Sequence, residues 1–195
     1  MYTITKSSSG ITLIPMESSL LARRRVFLEG DITQETACMF IKTLMYLTEE
    51  NADKPIHLFI NTTGGDINAG LLIYDAIQSC NVPIRMYCAG RAYSMGAVLF
   101  CSGRHGRYMF PNSELMLHEP LLGNRVGGSS SSIKSISDSL LETKKKINRL
   151  LARHTGRTEE EIEAATGYDH YFSPEESIAF GLCDGTIGLN FVMED

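Results

Sequence analysis

Apolar and polar positions fall into short blocks along this chain. Tyr2-Thr3-Ile4-Thr5 and Ile11-Thr12-Leu13-Ile14 alternate on either side of the polar stretch 6–10. That is the pattern of a hairpin, too small to fold alone. Arg23-Arg24-Arg25 reads as a solvated turn, and Val26-Phe27-Leu28 after it as a strand. From Thr33 to Glu50, Ala37, Phe40, Ile41, Leu44, Met45 and Thr48 recur at helical spacing. Pro55 then separates this helix from the apolar strand Ile56–Ile60, where His57 reads as a packing or surface residue. Asn61-Thr62-Thr63-Gly64-Gly65-Asp66 leads into a helix from about Asn68 to Cys80. Pro83 opens the buried strand Ile84–Ala89, and Ala97–Cys101 continues as a helix. Strand, loop and helix thus alternate three times by Cys101, which predicts an α/β fold with a largely parallel sheet.

The second half is less regular. Two extended runs, Arg107–Phe110 and Glu114–Leu117, are joined by Pro111-Asn112-Ser113. Leu121 to Ser132, rich in Gly and Ser, reads as a linker. A long helix follows, with Ile133, Ile136, Leu140, Ile147 and Leu151 on one stripe, ending near Gly156. Its length after a linker predicts that it projects from the core, and Lys144-Lys145-Lys146 reads as a solvated face. Thr158 with Glu161 and Ser173 with Glu176 are capping boxes, the second with Pro174 at the first helical position. Gly181 stops the last helix, and a strand near Thr186-Ile187 closes the chain.

Composition narrows the partners. The 195 residues suit one domain or one domain with an appendage. A net charge of −5 with mixed signs and no basic stripe argues against a nucleic-acid binder. Cys38, Cys80, Cys88, Cys101 and Cys183 form no C-x-x-C pair and read as reduced core thiols of a cytoplasmic protein, not a disulfide or metal framework. No apolar run approaches the roughly 20 residues of a membrane helix. No signal peptide is expected either, because the N-terminus lacks an apolar core segment.

The candidate chemistry centres on Gly90-Arg91-Ala92-Tyr93-Ser94-Met95-Gly96-Ala97. Ser94 sits where a strand turns into a helix, with small residues two positions away on each side. Two readings fit: a nucleophile elbow, with Ala92 departing from G-x-S-x-G, or a serine capping a core helix. A serine nucleophile needs an adjacent base, and the base a carboxylate that fixes its tautomer. His118, at the end of an apolar strand and two residues before Pro120, is a candidate base or a structural histidine. Asp169, in the loop between the two capped helices, is a candidate acid. The Met95 N–H, beside Ser94, and the Gly64-Gly65 pair are candidate oxyanion donors; the glycines also fit an ordinary turn.

Taken in order, these segments resemble the ClpP family, the proteolytic subunits of ATP-dependent Clp proteases. Ile60–Gly65 resembles the family's I-N-S-P-G-G, and Ala69-Gly70 with Ile73-Tyr74-Asp75 its A-G-x-x-I-Y-D. Ala92–Ala97 resembles A-A-S-M-G-A, Leu115–Pro120 resembles V-M-I-H-Q-P, and Tyr168–Gly181 resembles R-D-x-F-x-S-x-x-E-A-x-x-Y-G. Leu20-Leu21 through Leu28 resembles R-L-L-x-x-R-x-I-F-L. The resemblance implies a crotonase-like spiral of strand-strand-helix units. It implies a serine endopeptidase with Ser94 as nucleophile, His118 as base, Asp169 as orienting acid, and Gly65 and Met95 as oxyanion donors. It implies no metal and no cofactor in this chain, ATP being used by an AAA+ unfoldase partner. That partner would dock in a cleft lined by His57, Phe59, Tyr87, Tyr108 and Phe110. Two heptameric rings would stack into a tetradecamer around a chamber for polypeptide substrates. Residues 1–20 would form an axial-pore hairpin, 21–195 the peptidase domain, and about 121–156 the handle that joins the rings.

The departures are specific. Thr62-Thr63 replaces Ser-Pro, which predicts a looser loop. Tyr93 replaces a small residue, and Glu119 replaces Gln beside His118. Gly167 and Tyr168 stand where the family places an inter-ring ion pair, and Ser129–Ser132 replaces the usual handle contacts. They keep open a weakly active structural paralogue in a mixed assembly. The fold also admits an acyl-CoA enzyme, which would need no Ser, His and Asp together.

Overall fold

The computed structural model describes residues 1–7, 10–123 and 127–190. Ser8 and Ser9 of the expected hairpin loop, and Asn124, Arg125 and Val126 of the expected linker, lie outside the described residues. Strands β1 (Tyr2–Ser7) and β2 (Gly10–Pro15) pair antiparallel, and α1 (Met16–Leu21) leads from them to the main body. The body then alternates: β3 (Arg25–Glu29), α2 (Gln34–Glu50), β4 (Ile56–Thr62), α3 (Ile67–Ser79), β5 (Ile84–Tyr93), α4 (Met95–Cys101). After β6 (Arg107–Met109) and β7 (Glu114–Leu117) come the long α5 (Ser130–Thr155), α6 (Glu159–Thr166), β8 (His170–Phe172), α7 (Pro174–Phe180) and β9 (Gly185–Thr186).

The sheet runs β3-β4-β5-β6-β9, with β7 paired to the far end of β5 and β8 to β7. Every pairing is parallel except β7–β8. The mixed α/β class expected from the alternation is therefore the observed one. Strand β5 organises the sheet. Its first half sits between β4 and β6, while Arg91, Ala92 and Tyr93 pair with Glu114, Leu115 and Met116 of β7. Leu58, Ile60, Met86 and Cys88 face the helices in one core with Ile73, Leu99 and Phe100.

Side-chain caps set the helix starts. Thr33 and Thr36 form a reciprocal box on α2, Asp66 accepts from the Ala69 N–H on α3, and the expected boxes form on α6 and α7. Gly156 and Gly181 end α5 and α7 in the left-handed conformation.

Several local expectations change. The core face of α2 is Ala37, Phe40, Leu44 and Leu47, while Met45 points outward. Ser130–Ser132 are not linker: Ser129 caps α5 by accepting from the Ser132 N–H, so these serines form its first turn. Arg24 is not solvated. It is 5% exposed, adopts a φ of 58°, and donates to the carbonyls of Leu47, Asn51 and Pro55 and to Glu50. Its guanidinium fork presents several donors in one plane and so bonds the carbonyls along the exit of α2 together. Cys88, Cys101 and Cys183 are buried free thiols, but Cys38 is exposed on the outer face of α2. Only the C-terminal half of α5 reaches the core, through Ile147, Asn148, Leu150 and Leu151. Its first turns stand clear of it. Among the described residues no helix is long and apolar enough to cross a membrane, and no cluster of His, Cys, Asp or Glu could hold a metal ion.

Candidate active site

Ser94 occupies the single residue between β5 and α4, with φ 54° and ψ −122°. A non-glycine residue rarely sits there, and such strain needs support from its surroundings. The support is visible. The Ser94 N–H donates to the Met116 carbonyl at 2.8 Å, and its own carbonyl accepts from Ala97 and Val98. Helix α4 behind it is buried along its whole length. The Ser94 side chain does not cap the helix. Its Oγ lies 2.8 Å from Nε2 of His118 instead, so the capping reading fails on geometry.

His118 follows the last residue of β7 and is mostly buried, with 17% of its side chain exposed. Its Nδ1 lies 3.3 Å from Oδ1 of Asp169, whose side chain is 59% exposed. Asp169 hangs in the short loop between α6 and β8. Sequence separations of 24 and 51 residues thus close into one line of contacts, because β7 lies beside both β5 and β8.

The glycine pair lies against the same serine. A Cβ on Gly64 would fall 2.9 Å from the Ser94 Cβ, and one on Gly65 only 2.3 Å from the Ile32 carbonyl oxygen. With φ of 97° and 148°, both positions favour glycine. The turn is pinned from outside: Ile32 donates to the Gly64 carbonyl and accepts from Asp66. The Thr62 hydroxyl accepts from the Gly64 N–H and donates to the Gly30 carbonyl. Thr62 therefore tightens the loop that the Thr-Thr departure was expected to loosen. Among the described residues, neither the Gly65 N–H nor the Met95 N–H has a hydrogen-bond partner, and both residues line the cleft that holds Ser94 and His118.

That cleft measures about 920 Å³. The body forms one wall. The other comes from α5, whose Ile136, Leu140, Ile147 and Leu151 line it together with Leu121 and Leu122. The apolar stripe of the long helix is thus largely the wall of a groove.

The remaining expected residues form a separate patch. Phe27, Phe59, Tyr87 and Tyr108 are in register across β3, β4, β5 and β6 and stack face to face, with centroids 4.9, 5.0 and 6.0 Å apart. Phe110 and Ile187 pack against them. His57 hydrogen-bonds the Tyr87 hydroxyl at 2.9 Å. Burial, reinforced by Arg85, Arg25 and Arg24, pushes its pKa down to about 4. His57, Phe59 and Tyr87 are buried within the chain, so Tyr108 and Phe110 carry the accessible part, joined by Phe27 at 43% exposure.

The partners of Tyr93, Glu119 and Lys144 were not legible in the sequence. Tyr93 donates its hydroxyl to Glu114 and packs edge-on against Tyr171, two residues past Asp169. The Glu114 bond and burial push its pKa up to about 12. The Glu119 N–H donates to the Thr166 carbonyl, and its carboxylate lies 2.9 Å from Nζ of Lys144, which also meets Glu163 at 3.0 Å. Glu119 is thus engaged by α5. Lys144 is no solvated residue; it lies four after Leu140 and three before Ile147, and that phase was the available signal.

Two comparisons with known proteins bear on this arrangement. The family model described as Clp protease matches residues 8–189. An ATP-dependent Clp protease proteolytic subunit of Bdellovibrio bacteriovorus is 37% identical over 188 residues, covering 95% of this chain and 89% of the relative. With the match spanning the sheet, the serine elbow and the long helix together, the chain belongs to the Clp protease family and is a peptidase of that type.

Proposed function

We propose that the chain is a serine endopeptidase working through Ser94, His118 and Asp169. The observation that carries this reading is the 2.8 Å contact between Ser94 Oγ and His118 Nε2, continued on the other ring nitrogen by Asp169. With the Nδ1 proton directed at Asp169, Nε2 is the acceptor for the serine hydroxyl. Ser94 Oγ attacks a peptide carbonyl carbon while its proton moves to Nε2. Asp169 stabilises the resulting imidazolium. The Gly65 and Met95 N–H groups hold the oxyanion, each worth roughly 2.7–4 kcal/mol in the transition state. His118 returns the proton to the leaving amine, and water releases the acyl group by the same steps. The chemistry draws on no metal or cofactor; ATP is consumed by the partner.

The apolar wall of the cleft suits the side chains of an extended polypeptide. The chain works within heptameric rings, and an AAA+ unfoldase docks on the aromatic patch of Tyr108, Phe110 and the buried His57, Phe59 and Tyr87. The hairpin of residues 1–20 borders the axial pore, and 121–156 contributes to ring stacking. Tyr168 is 88% exposed and offers no ionic partner across rings. Alone, the subunit therefore forms a heptamer or a labile tetradecamer of low activity, and a paralogue or docked unfoldase stabilises the double ring by linkage. Fluorogenic-peptide turnover, labelling by a serine-reactive fluorophosphonate and ultracentrifugation across dilution test the reading. Turnover without labelling of Ser94 overturns the mechanism. A double ring that is stable and fully active alone at nanomolar concentration overturns the assembly.

A further inference from the structure

Two short segments carry the outer parts of the candidate triad. His118 is followed directly by Glu119. Asp169 comes three residues after Thr166, the last residue of α6. The Glu119 N–H donates to the Thr166 carbonyl at 2.8 Å, so the two segments already touch. The Lys144 ammonium closes the arrangement from α5, at 2.9 Å from the Glu119 carboxylate and 3.0 Å from that of Glu163 on α6. The other ion pairs of α5 among the described residues, Lys134–Asp138 and Lys145–Glu142, stay within the helix and tie it to nothing.

We propose that Lys144 is a positioning residue for the peptidase reaction: by bridging Glu119 and Glu163 it seats α5 against the two segments that carry His118 and Asp169. The proposal rests on the Ser94–His118–Asp169 reading above. The lysine suits the task. Its side chain is 22% exposed, against 64% for Lys145, and it lies along the apolar stripe between Leu140 and Ile147. Both carboxylates raise its pKa further, so it stays charged wherever a histidine base works. Exposed ion pairs add little to global stability. Holding Asp169 near Nδ1 asks less, because a small displacement of an orienting group is enough to slow catalysis. Thr143, beside Lys144, lines the catalytic cleft, so the seat also sets the groove wall.

The test uses the full chain in its native assembly and three variants. Lys144→Met keeps the stem and removes the charge. It is expected to lower kcat on a fluorogenic peptide by about threefold to tenfold, with KM within about twofold and the melting temperature nearly unchanged. Lys144→Arg, which can span two carboxylates, should recover most of the loss. Glu119→Gln, removing one arm, should give a smaller drop of the same kind and serves if Lys144→Met folds poorly. A native kcat in both Lys144→Met and Glu119→Gln overturns the proposal. So does a loss that Arg fails to recover and that follows the melting temperature. Ser94→Ala separates the two levels. If it retains turnover, the triad reading itself fails; if it is inactive while Lys144→Met and Glu119→Gln are both native, only the positioning role fails.

Discussion

The proposed nucleophile and base differ from the proposed acid in how the chain holds them. Ser94 sits between a central strand and a fully buried helix, with its backbone bonded to Met116, Ala97 and Val98. His118 directly follows β7, of which Leu115, Met116 and Leu117 are buried. Asp169 lies in a loop beside the three-residue β8, more than half exposed. Close-packed cores resist displacement, whereas short edge elements open locally at little cost. The sheet itself therefore aligns Ser94 with His118, and the position of Asp169 depends on the margin: β8, α6 and the Lys144 ion pairs from α5.

The sharpest test of this contrast is Ser94→Ala. It should lower kcat by roughly 10⁴- to 10⁶-fold with the melting temperature unchanged or raised, since it removes only a strained hydroxyl-bearing position's reactive atom. Peptide turnover and thermal melts read both. Gly65→Ala should come next. Its Cβ would meet the Ile32 carbonyl, so at least a hundredfold loss of kcat should accompany about 1–3 kcal/mol of destabilisation in urea. Asp169→Asn should lose less activity than Ser94→Ala, roughly 10²- to 10⁴-fold, because members of a triad contribute unequally. Equal losses in Asp169→Asn and Ser94→Ala would erase the distinction between margin and centre.

The smallest effect lies in the aromatic patch and concerns acid. His57 titrates near 4 in the folded chain and near 6.5 when unfolded. Below about 6.5 the unfolded chain takes up a proton that the folded chain refuses, so the stability present above that pH is lost as pH falls toward 4. His57→Gln should flatten part of the fall in melting temperature across this window. An unchanged slope would show that His57 does not contribute to it.

Much of the fold was legible. Helices α2 and α3, the strands around them and the two capping boxes follow from periodicity and local hydrogen bonding, which act over a few residues. The candidate site was legible only as residue types: a serine at a strand-to-helix junction, a histidine at a strand end, a loop aspartate and a glycine pair. Three readings were missed for one physical reason. Arg24 reads as one of three solvated arginines until Glu50 and the carbonyls of Leu47, Asn51 and Pro55 at the exit of α2 are brought to it. Lys144 reads as one of three lysines until α6 and Glu119 arrive. Met45 fits the helical spacing, yet the core that includes Leu58 and Ile73 takes the Ala37, Phe40, Leu44 and Leu47 face of α2 and leaves Met45 outside. In each case a partner distant in sequence determines which way a side chain points.

By itself, then, the sequence determined the alternation of strands and helices, the strained serine junction and the family to which the chain belongs, because these are written in contiguous residues. Only the tertiary structure decided that Ser94 Oγ meets His118 instead of capping α4, that the stripe of α5 walls a cleft, and that Glu119 turns to Lys144. Those outcomes depend on which strands neighbour β5 and where α5 comes to rest. Side chains far apart in the chain interact only after burial and hydrogen-bond satisfaction have arranged the sheet around them.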